Sequence, residues 1–222
     1  MLILGIDDAG RGPVIGPMIL AGVLINEEIE KEFKKLGVKD SKQLTEKRRE
    51  FLADIIREKA ETFEVVVVSP NEIEEKNKDG INLNHLEAIA CAQIINTINK
   101  GFKEIKIIID CPSVGIVKWK EYLLSKVESK NIEISCEHKA DRNHIAVSAA
   151  SIIAKSVREK EMAKLKEKYG SDMGSGYTSD PNTKTFLARN VKKLNNDGIF
   201  RKTWSTWQQV ARSGNQKKLG DF

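Results

Sequence analysis

The stretch LILGIDDAGRGPVIGP, residues 2–17, decides the fold and contains the first candidate site. Its first six residues are apolar up to a closing aspartate, which is typical of a short buried strand. The segment IKIIID, residues 105–110, has the same form. Neighbouring strands of one sheet lie ~4.8 Å apart, so pairing of these two would bring Asp7 and Asp110 together, with Asp8 alongside. That edge is where open α/β sheets place their sites.

The rest of the chain predicts an α/β fold built around these two strands. Apolar runs of strand length predict three more strands, at Met18–Ile25, Phe63–Val68 and Ile132–Cys136. Helical spacing and capping residues predict helices at Glu27–Leu36, 45–60, from Pro70 onward, Leu83–Ile98, Val147–Tyr169, Thr183–Leu194 and Thr203–Arg212. Three strands with short connections come first, and the last two strands alternate with helices later in the chain. This order indicates a mixed five-stranded sheet with helices on both faces.

Composition limits the class of protein. The chain has 222 residues, of which 40% are hydrophobic and 31% charged, as expected for one globular domain with a modest appendage. Its three cysteines form no C-x-x-C pair, which argues against a disulfide framework and favours a reducing, cytoplasmic location. We expect no membrane span, because the apolar runs are too short. We expect no cleaved leader, because the first residues include no basic group and lead directly into acidic residues. A net charge of +5 permits a polyanionic partner.

Aspartates without a cysteine or histidine pair suit a hard, oxygen-seeking cation such as Mg²⁺ or Mn²⁺. A third acidic position, Asp141, precedes the long predicted helix and adds to Asp7 and Asp110. Two such ions ~3.5–4 Å apart could activate water and stabilise the leaving oxygen in phosphodiester cleavage. Spacing alone leaves open that these aspartates are ordinary turn residues.

The glycines after the first strand have two possible interpretations. A dinucleotide-binding fingerprint requires G-x-G-x-x-G leading into a helix. Here the third glycine, Gly16, comes one position late, prolines interrupt at Pro13 and Pro17, and a strand follows. We therefore prefer a loop whose backbone closely approaches a ligand and supplies N–H donors to a phosphate or hydroxyl.

Six segments resemble type 2 ribonucleases H (ribonuclease HII), in that family's order along residues 2 to about 207. They are DDAGRGP at 7–13, close to the family's D-E-A-G-R-G-P opening, KDSKQLT at 39–45, IID at 108–110, EHKAD at 137–141, VSAASIIAK at 147–155 and GSGYTSDP at 174–181. The segment RKTWST, residues 201–206, resembles the archaeal and eukaryotic form of the enzyme.

The resemblance implies an RNase H-like fold and a single-subunit endonuclease. Such an enzyme hydrolyses RNA in RNA/DNA hybrids and incises 5′ of ribonucleotides embedded in duplex DNA, leaving 3′-hydroxyl and 5′-phosphate ends. It implies two divalent ions, Mg²⁺ or Mn²⁺, at the family's four carboxylate positions, which are Asp7, Asp8, Asp110 and Asp141. It also implies substrate-binding roles: sensing of the ribose 2′-hydroxyl by Gly10, Arg11 and Gly12, stacking by Tyr177, and phosphate contacts by Lys42, Ser148 and Lys155.

Two residues depart from the family's pattern. Asp8 replaces a glutamate, and Thr178 replaces the proline that usually follows the tyrosine. Asp8 is one methylene shorter, so we expect metal binding to survive while the rate falls or the metal preference shifts. The alternative to an active nuclease is a catalytically weak module that binds hybrids or is tethered to a clamp. A nicotinamide dehydrogenase is a more distant alternative.

The C-terminal part of the chain adds further predictions. We divide the chain into a catalytic domain at 1–180, a helical segment at 181–212 and a tail at 213–222. The tail resembles a sliding-clamp-interacting peptide through Gln216, Leu219 and Phe222, whose apolar anchors would enter a groove. We expect a monomer. The charged second half of the long helix, Arg158 included, is typical of a solvated face.

Overall fold

The computed structural model describes residues 1–39, 44–99, 104–129 and 132–213. The strands are β1 (Leu2–Ala9), β2 (Met18–Ile25), β3 (Thr62–Val68), β4 (Ile105–Asp110) and β5 (Glu133–Glu137). The helices are α1 (Glu27–Leu36), α2 (Glu46–Lys59), α3 (Pro70–Lys78), α4 (Leu83–Asn99), α5 (Ile116–Leu124), α6 (Ala140–Asn143), α7 (Ile145–Tyr169), α8 (Pro181–Asn190) and α9 (Ser205–Ser213). In this part of the chain, no helix is both long and apolar enough to span a membrane.

The five strands form one mixed sheet in the order β3-β2-β1-β4-β5. Strand β1 pairs antiparallel with β2 on one side and parallel with β4 on the other. Strand β4 in turn pairs parallel with β5. The predicted mixed sheet is confirmed, and its central parallel pair consists of the two strands that end near Asp7 and Asp110.

The chain divides into two compact units, and the first comprises residues 1–9, 19–67 and 82–157. On one face of its sheet, β1 and β2 pack against α1, α2 and the start of α7 in a core that includes Val23, Phe33, Leu52 and Ile153. On the other face, α4 lies so close that a side chain at Gly22 would overlap Ile94. Helices therefore cover both faces, as the alternating pattern predicts, and α4 is deeply packed as its apolar sequence predicts.

Gly5 allows the closest approach between strand and helix in this unit. A Cβ atom at Gly5 would overlap backbone atoms of Ala146 and Val147, in the first turn of α7. Only glycine leaves room for a helix backbone so near to a strand. The first turn of α7 is thereby fixed against β1 at Gly5, which is two residues before Asp7.

The second unit comprises residues 10–18, 68–81 and 158–222, and is described to residue 213. Its core contains Val14, Phe186, Leu187 and Phe200 together with side chains from the end of α7. Ile15 and Phe200 form an isolated antiparallel bridge, which joins the glycine-rich segment to the chain just before α9. The division of the chain at residues 180 and 212 stays a prediction.

The capping residues behave as their sequence indicates. Thr45 accepts a hydrogen bond from the Arg48 amide at 3.3 Å, and Ser69 accepts one from the Glu72 amide at 3.1 Å. Gly37 ends α1 in the left-handed conformation, with φ 82°. Two helices were not predicted, α5 and α6. Helix α5 follows Gly115 without a side-chain cap and has nine residues, and α6 has only four, so their sequences give little signal.

Candidate active site

Three aspartates converge in the first unit at the edge where the parallel strands end. Asp7 lies near the end of β1, Asp110 is the last residue of the neighbouring β4, and Asp141 lies in α6. One carboxylate oxygen from each lies within 4.8 Å of the others. Asp7 and Asp141 are buried, with 7% and 2% of their surfaces exposed, whereas Asp110 is half-buried. Parallel pairing thus brings together residues that are about a hundred positions apart in sequence.

Local hydrogen bonds orient the carboxylates of Asp7 and Asp110 and the backbone that carries Asp141. The Asp8 amide donates to Asp7 Oδ1 at 2.7 Å, and the Ala140 amide donates to Asp110 Oδ1 at 3.4 Å. The Ser148 hydroxyl, in the first turn of α7, donates to the Asp141 carbonyl at 2.6 Å. Ser148 is 2% exposed, so its position supports the backbone that carries Asp141. A phosphate contact for Ser148 stays a prediction.

The mutual repulsion of the three converging aspartates favours binding of a cation. Burial raises the pKa of Asp7 well above its ordinary value of 3.8, and the charges of Asp8 and Asp110 raise it further. Like charges at such separations repel unless a cation neutralises them. The donors are all carboxylate oxygens, which suit a hard divalent ion. The residues present therefore fit a divalent metal, and Asp7, Asp110 and Asp141 would hold it.

Asp8 lies on the same strand end as Asp7 but takes a different position. Of the four predicted carboxylates, all within the described residues, it is the one outside the converging group. Successive side chains of a strand point to opposite faces, and the charge of Asp8 acts on Cys91 of α4. Asp8 also lines a small cavity together with Asp7 and Asp110. The Asp8 side chain therefore lies at the site but is not one of the three converging carboxylates.

Sequence reasoning missed one acidic residue at this cavity. Glu87 of α4 lines it beside Asp8 and Asp110, and is 1% exposed. Burial, followed by the charge of Glu87, raises the pKa of the neighbouring Cys91 thiol well above its ordinary value, so this cysteine is a poor nucleophile. The available signal was that Glu87 is the single acidic residue in the largely apolar segment 83–98.

The predicted substrate-binding loops meet in the second unit. The amides of Val14 and Ile15 both donate to the Gly176 carbonyl, at 2.9 and 3.3 Å. A Cβ atom at Gly12 would lie 3.9 Å from a ring carbon of Tyr177, whose surface is 41% exposed. The glycine-rich segment and the tyrosine loop therefore form one surface. No helix follows Gly16, because β2 begins at Met18, which agrees with rejection of the dinucleotide fingerprint.

Arg158 corrects one prediction. It is 5% exposed rather than solvated, and its guanidinium donates to the carbonyls of Pro17 at 2.7 Å and Ser175 at 3.3 Å. The guanidinium carbon lies 5.5 Å from the centre of the Tyr177 ring. Burial lowers the pKa of Arg158, and the neighbouring Tyr177 opposes that shift. Helical charge spacing predicted a surface arginine, but the loops at Pro17 and Ser175 cover it.

The remaining predicted residues are less informative. Lys155 lies half-buried in α7, and Arg11 is half-buried in the glycine-rich segment. Lys42 and the tail residues Gln216, Leu219 and Phe222 lie outside the described residues.

Comparisons with known proteins agree over almost the whole chain. The sequence profile of the family described as Ribonuclease HII matches residues 4–207. The ribonuclease HII of a Methanococcus maripaludis strain is 42% identical over 221 residues, covering 98% of this chain and 90% of that protein. The crystal structure of ribonuclease H2 from Pyrococcus horikoshii has a TM-score of 0.86 at 36% identity, covering 98% of this chain and 100% of that one. RNase HII in the structure of the PCNA:RNase HII complex from Archaeoglobus fulgidus has a TM-score of 0.82 at 38% identity, covering 99% of this chain and 100% of that one.

The mixed sheet and its acidic edge define an RNase H-like nuclease. The profile match over residues 4–207 and the similarity to relatives along almost the whole chain identify the family. The chain belongs to the ribonuclease HII family. It is accordingly a ribonuclease H, a hydrolase acting on RNA/DNA hybrids, and its three converging aspartates fit the divalent metals that this family uses.

Proposed function

We propose that this protein incises 5′ of single ribonucleotides in duplex DNA, in addition to cutting RNA/DNA hybrids. The observation that supports its chemistry is the convergence of Asp7, Asp110 and Asp141 within 4.8 Å at the end of the parallel strands. We further propose that these residues and Asp8 hold two ions, Mg²⁺ or Mn²⁺. Two bound ions supply Lewis acidity, which favours ionisation of a water and stabilises negative charge on phosphate oxygens.

The chain's own residues determine where cleavage occurs. Asp7 and Asp110, at the ends of β1 and β4, and Asp141 in α6 would hold the ions that bind the reacting phosphate, and the amides of Asp8 and Ala140 orient the first two carboxylates. A water oxygen forms a bond to phosphorus as the P–O3′ bond breaks in line. The departing O3′ receives a proton and becomes the 3′-hydroxyl, and the other product has a 5′-phosphate.

Discrimination against DNA is assigned to the second unit. We propose that Gly10, Arg11 and Gly12 bind the ribose 2′-hydroxyl through their backbone, and that Tyr177 stacks at the junction between RNA and DNA. The close approach of Gly12 to the Tyr177 ring supports a shared role. Lys42 and Lys155 are proposed to contact phosphates, with the salt dependence typical of such contacts.

The test uses a labelled DNA duplex with one embedded ribonucleotide. We expect a single nick on its 5′ side with Mg²⁺ or Mn²⁺, and no product with EDTA. An all-DNA duplex and the Asp110→Asn variant are the negative controls. Cleavage of an RNA/DNA hybrid without cleavage of this duplex would contradict the proposed incision and leave the ribonuclease H activity intact.

Asp8→Glu should increase turnover. The longer side chain restores the missing methylene, so we expect about a tenfold gain with Mg²⁺ or a changed ratio of Mg²⁺ to Mn²⁺ activity. Steady-state kinetics with each metal measure both quantities. Unchanged turnover with both metals would show that the shorter carboxylate has no effect. Asp54→Asn, at a side chain that is 69% exposed, is a suitable control for altered surface charge.

We also propose that the protein binds a sliding clamp as a monomer in the cytoplasm. Support comes from the A. fulgidus RNase HII, which was solved in complex with PCNA, and from the spacing of Gln216, Leu219 and Phe222. Replacing these three by alanine should weaken clamp binding at least about tenfold in a titration. Lys217→Gln with Lys218→Gln keeps the three anchors, so equal weakening by this variant would indicate a merely basic tail.

A further inference from the structure

Arg201 makes three side-chain hydrogen bonds to the glycine-rich segment of the second unit. It is completely buried, at 0% exposure. Its Nη2 donates to the Gly10 carbonyl at 2.6 Å, Nη1 to the Arg11 carbonyl at 2.7 Å, and Nε to the Gly16 carbonyl at 3.0 Å. One guanidinium thus binds both ends of the loop, because its donors are arranged in a rigid planar fork.

Trp204 extends this contact by one residue. Its indole Nε1 donates to the Gly12 carbonyl at 3.0 Å, and the Arg201 guanidinium lies 5.0 Å from the centre of its ring. The carbonyls of Gly10, Arg11 and Gly12 are consecutive, and each accepts from one of these two side chains. We call residues 199–204 the brace.

Backbone hydrogen bonds fix the brace itself against the same segment. The Arg201 amide donates to the Val14 carbonyl at 2.9 Å, and the Gly16 amide donates to the Ile199 carbonyl at 3.0 Å. The position of the guanidinium therefore depends on a backbone pairing and is not left to side-chain freedom alone.

Because peptide bonds are planar, the hydrogen bonds to the carbonyls of Gly10 and Arg11 determine where the N–H groups of the following residues point. In a trans peptide, the carbonyl of one residue and the N–H of the next point in opposite directions. Binding of the Gly10 and Arg11 carbonyls by buried Arg201 therefore turns the N–H groups of Arg11 and Gly12 away from the interior. Gly12 is exposed, so this direction leads to solvent. Pro13 follows and has no N–H, so the run of outward donors ends at Gly12.

We propose that Arg201 and Trp204 are positioning residues for ribose recognition, because they set the direction in which the glycine-rich segment presents its N–H groups to a 2′-hydroxyl. The inference rests on the function proposed for Gly10, Arg11 and Gly12. Arg201 has no exposed surface and cannot touch the substrate, so its effect on recognition acts through the loop.

The experiment compares binding of two duplexes that differ by one 2′-hydroxyl. Affinities for the ribonucleotide-containing duplex and the all-DNA duplex are measured by fluorescence anisotropy in EDTA, where no cleavage occurs. The ratio of the two affinities is the readout, because general loss of stability would lower both. The variants are Arg201→Lys, which keeps the charge without the fork, and Trp204→Phe, which keeps the ring without its N–H.

We expect the ratio to fall by about 100-fold in Arg201→Lys and about tenfold in Trp204→Phe, with all-DNA affinity unchanged. Trp207→Phe is the matched control, because the Trp207 Nε1 has no hydrogen-bond partner among the described residues. It should leave the ratio as in the wild type. Amide hydrogen exchange of residues 10–17 should accelerate in the first two variants and remain unchanged in the third.

An unchanged ratio in Trp204→Phe, in a protein with wild-type circular dichroism, would overturn the inference, whether or not Arg201→Lys folds. An equal fall in both affinities would also overturn it, since the brace would then be merely structural. A wild-type protein that binds both duplexes equally would instead contradict the proposed role of the glycine-rich segment.

Discussion

Asp7→Asn should lower hydrolysis of an RNA/DNA hybrid at least about 1000-fold and at the same time raise the unfolding temperature of the metal-free protein. The loss of activity follows because a neutral amide replaces a carboxylate of the converging group. The gain in stability follows because ionised Asp7 is buried close to Asp8 and Asp110. Removing a buried charge that repels its neighbours stabilises the folded state relative to the unfolded state.

The gain in stability of metal-free Asp7→Asn over the wild type should increase as pH rises. The pKa of Asp7 is raised in the folded state above its ordinary value of 3.8. Folded protein therefore keeps the proton at pH values where the unfolded chain has released it, and the stability of the metal-free wild type falls as pH rises across that interval. Asparagine does not titrate, so the advantage of Asp7→Asn grows over the interval and is constant above it.

Thermal unfolding in EDTA over a series of pH values measures this effect. Adding Mg²⁺ should reverse the order of stability, because the ion binds the folded wild type more tightly than the variant. Asp54→Asn removes an exposed carboxylate that pairs with Arg57 at 2.8 Å. It should leave activity unchanged and cost less than about 1 kcal/mol of stability. A less stable metal-free Asp7→Asn at neutral pH would show that the repulsion at the site is not the dominant effect.

Gly5→Ala should destabilise the protein by about 3 kcal/mol, equivalent to roughly 10 °C in unfolding temperature. The new methyl group would overlap the backbone at Ala146 and Val147, and a helix backbone cannot move aside as a flexible side chain can. Displacement of the first turn of α7 would also shift Ser148, whose hydroxyl binds the Asp141 carbonyl at 2.6 Å. Activity should therefore fall by more than the loss of folded protein explains.

Differential scanning calorimetry and hybrid cleavage below the unfolding transition separate these two effects. Gly115→Ala is the matched control, because its Cβ would lie 3.9 Å from the Ser113 hydroxyl, an ordinary contact. We expect that change to cost less than about 1 kcal/mol. A fully stable Gly5→Ala would mean that β1 and α7 can separate without loss.

The sheet and its acidic edge were predictable because they depend on local patterns. Apolar runs that end in aspartate, at residues 2–7 and 105–110, identify two strands and place a carboxylate at the carboxyl end of each strand. The structure shows that these two strands are neighbours and that they pair in parallel. That Asp141 joins Asp7 and Asp110 was implied by the family resemblance, since nothing in its spacing from β5 fixes the direction of α6.

The buried charges could not be predicted in this way. Arg158 occupies a helical position flanked by charged neighbours, and only the loops at Pro17 and Ser175 make it buried. Arg201 stands in a short segment without periodicity, and its partners are 185 to 191 residues away in sequence. Long-range contacts of this kind leave no local signal, whereas Glu87 did leave one in the composition of its helix.

The pairing between the brace and the glycine-rich segment has a consequence for the order of events during synthesis. Chains grow from the N-terminus, and 190 residues separate the guanidinium of Arg201 from the Arg11 carbonyl that it binds. A nascent chain on the ribosome can complete the β1–β4 pair, with Asp7 and Asp110, before Arg201 exists. The carboxylates of the nuclease can therefore come together before the contacts proposed to let it tell ribose from deoxyribose.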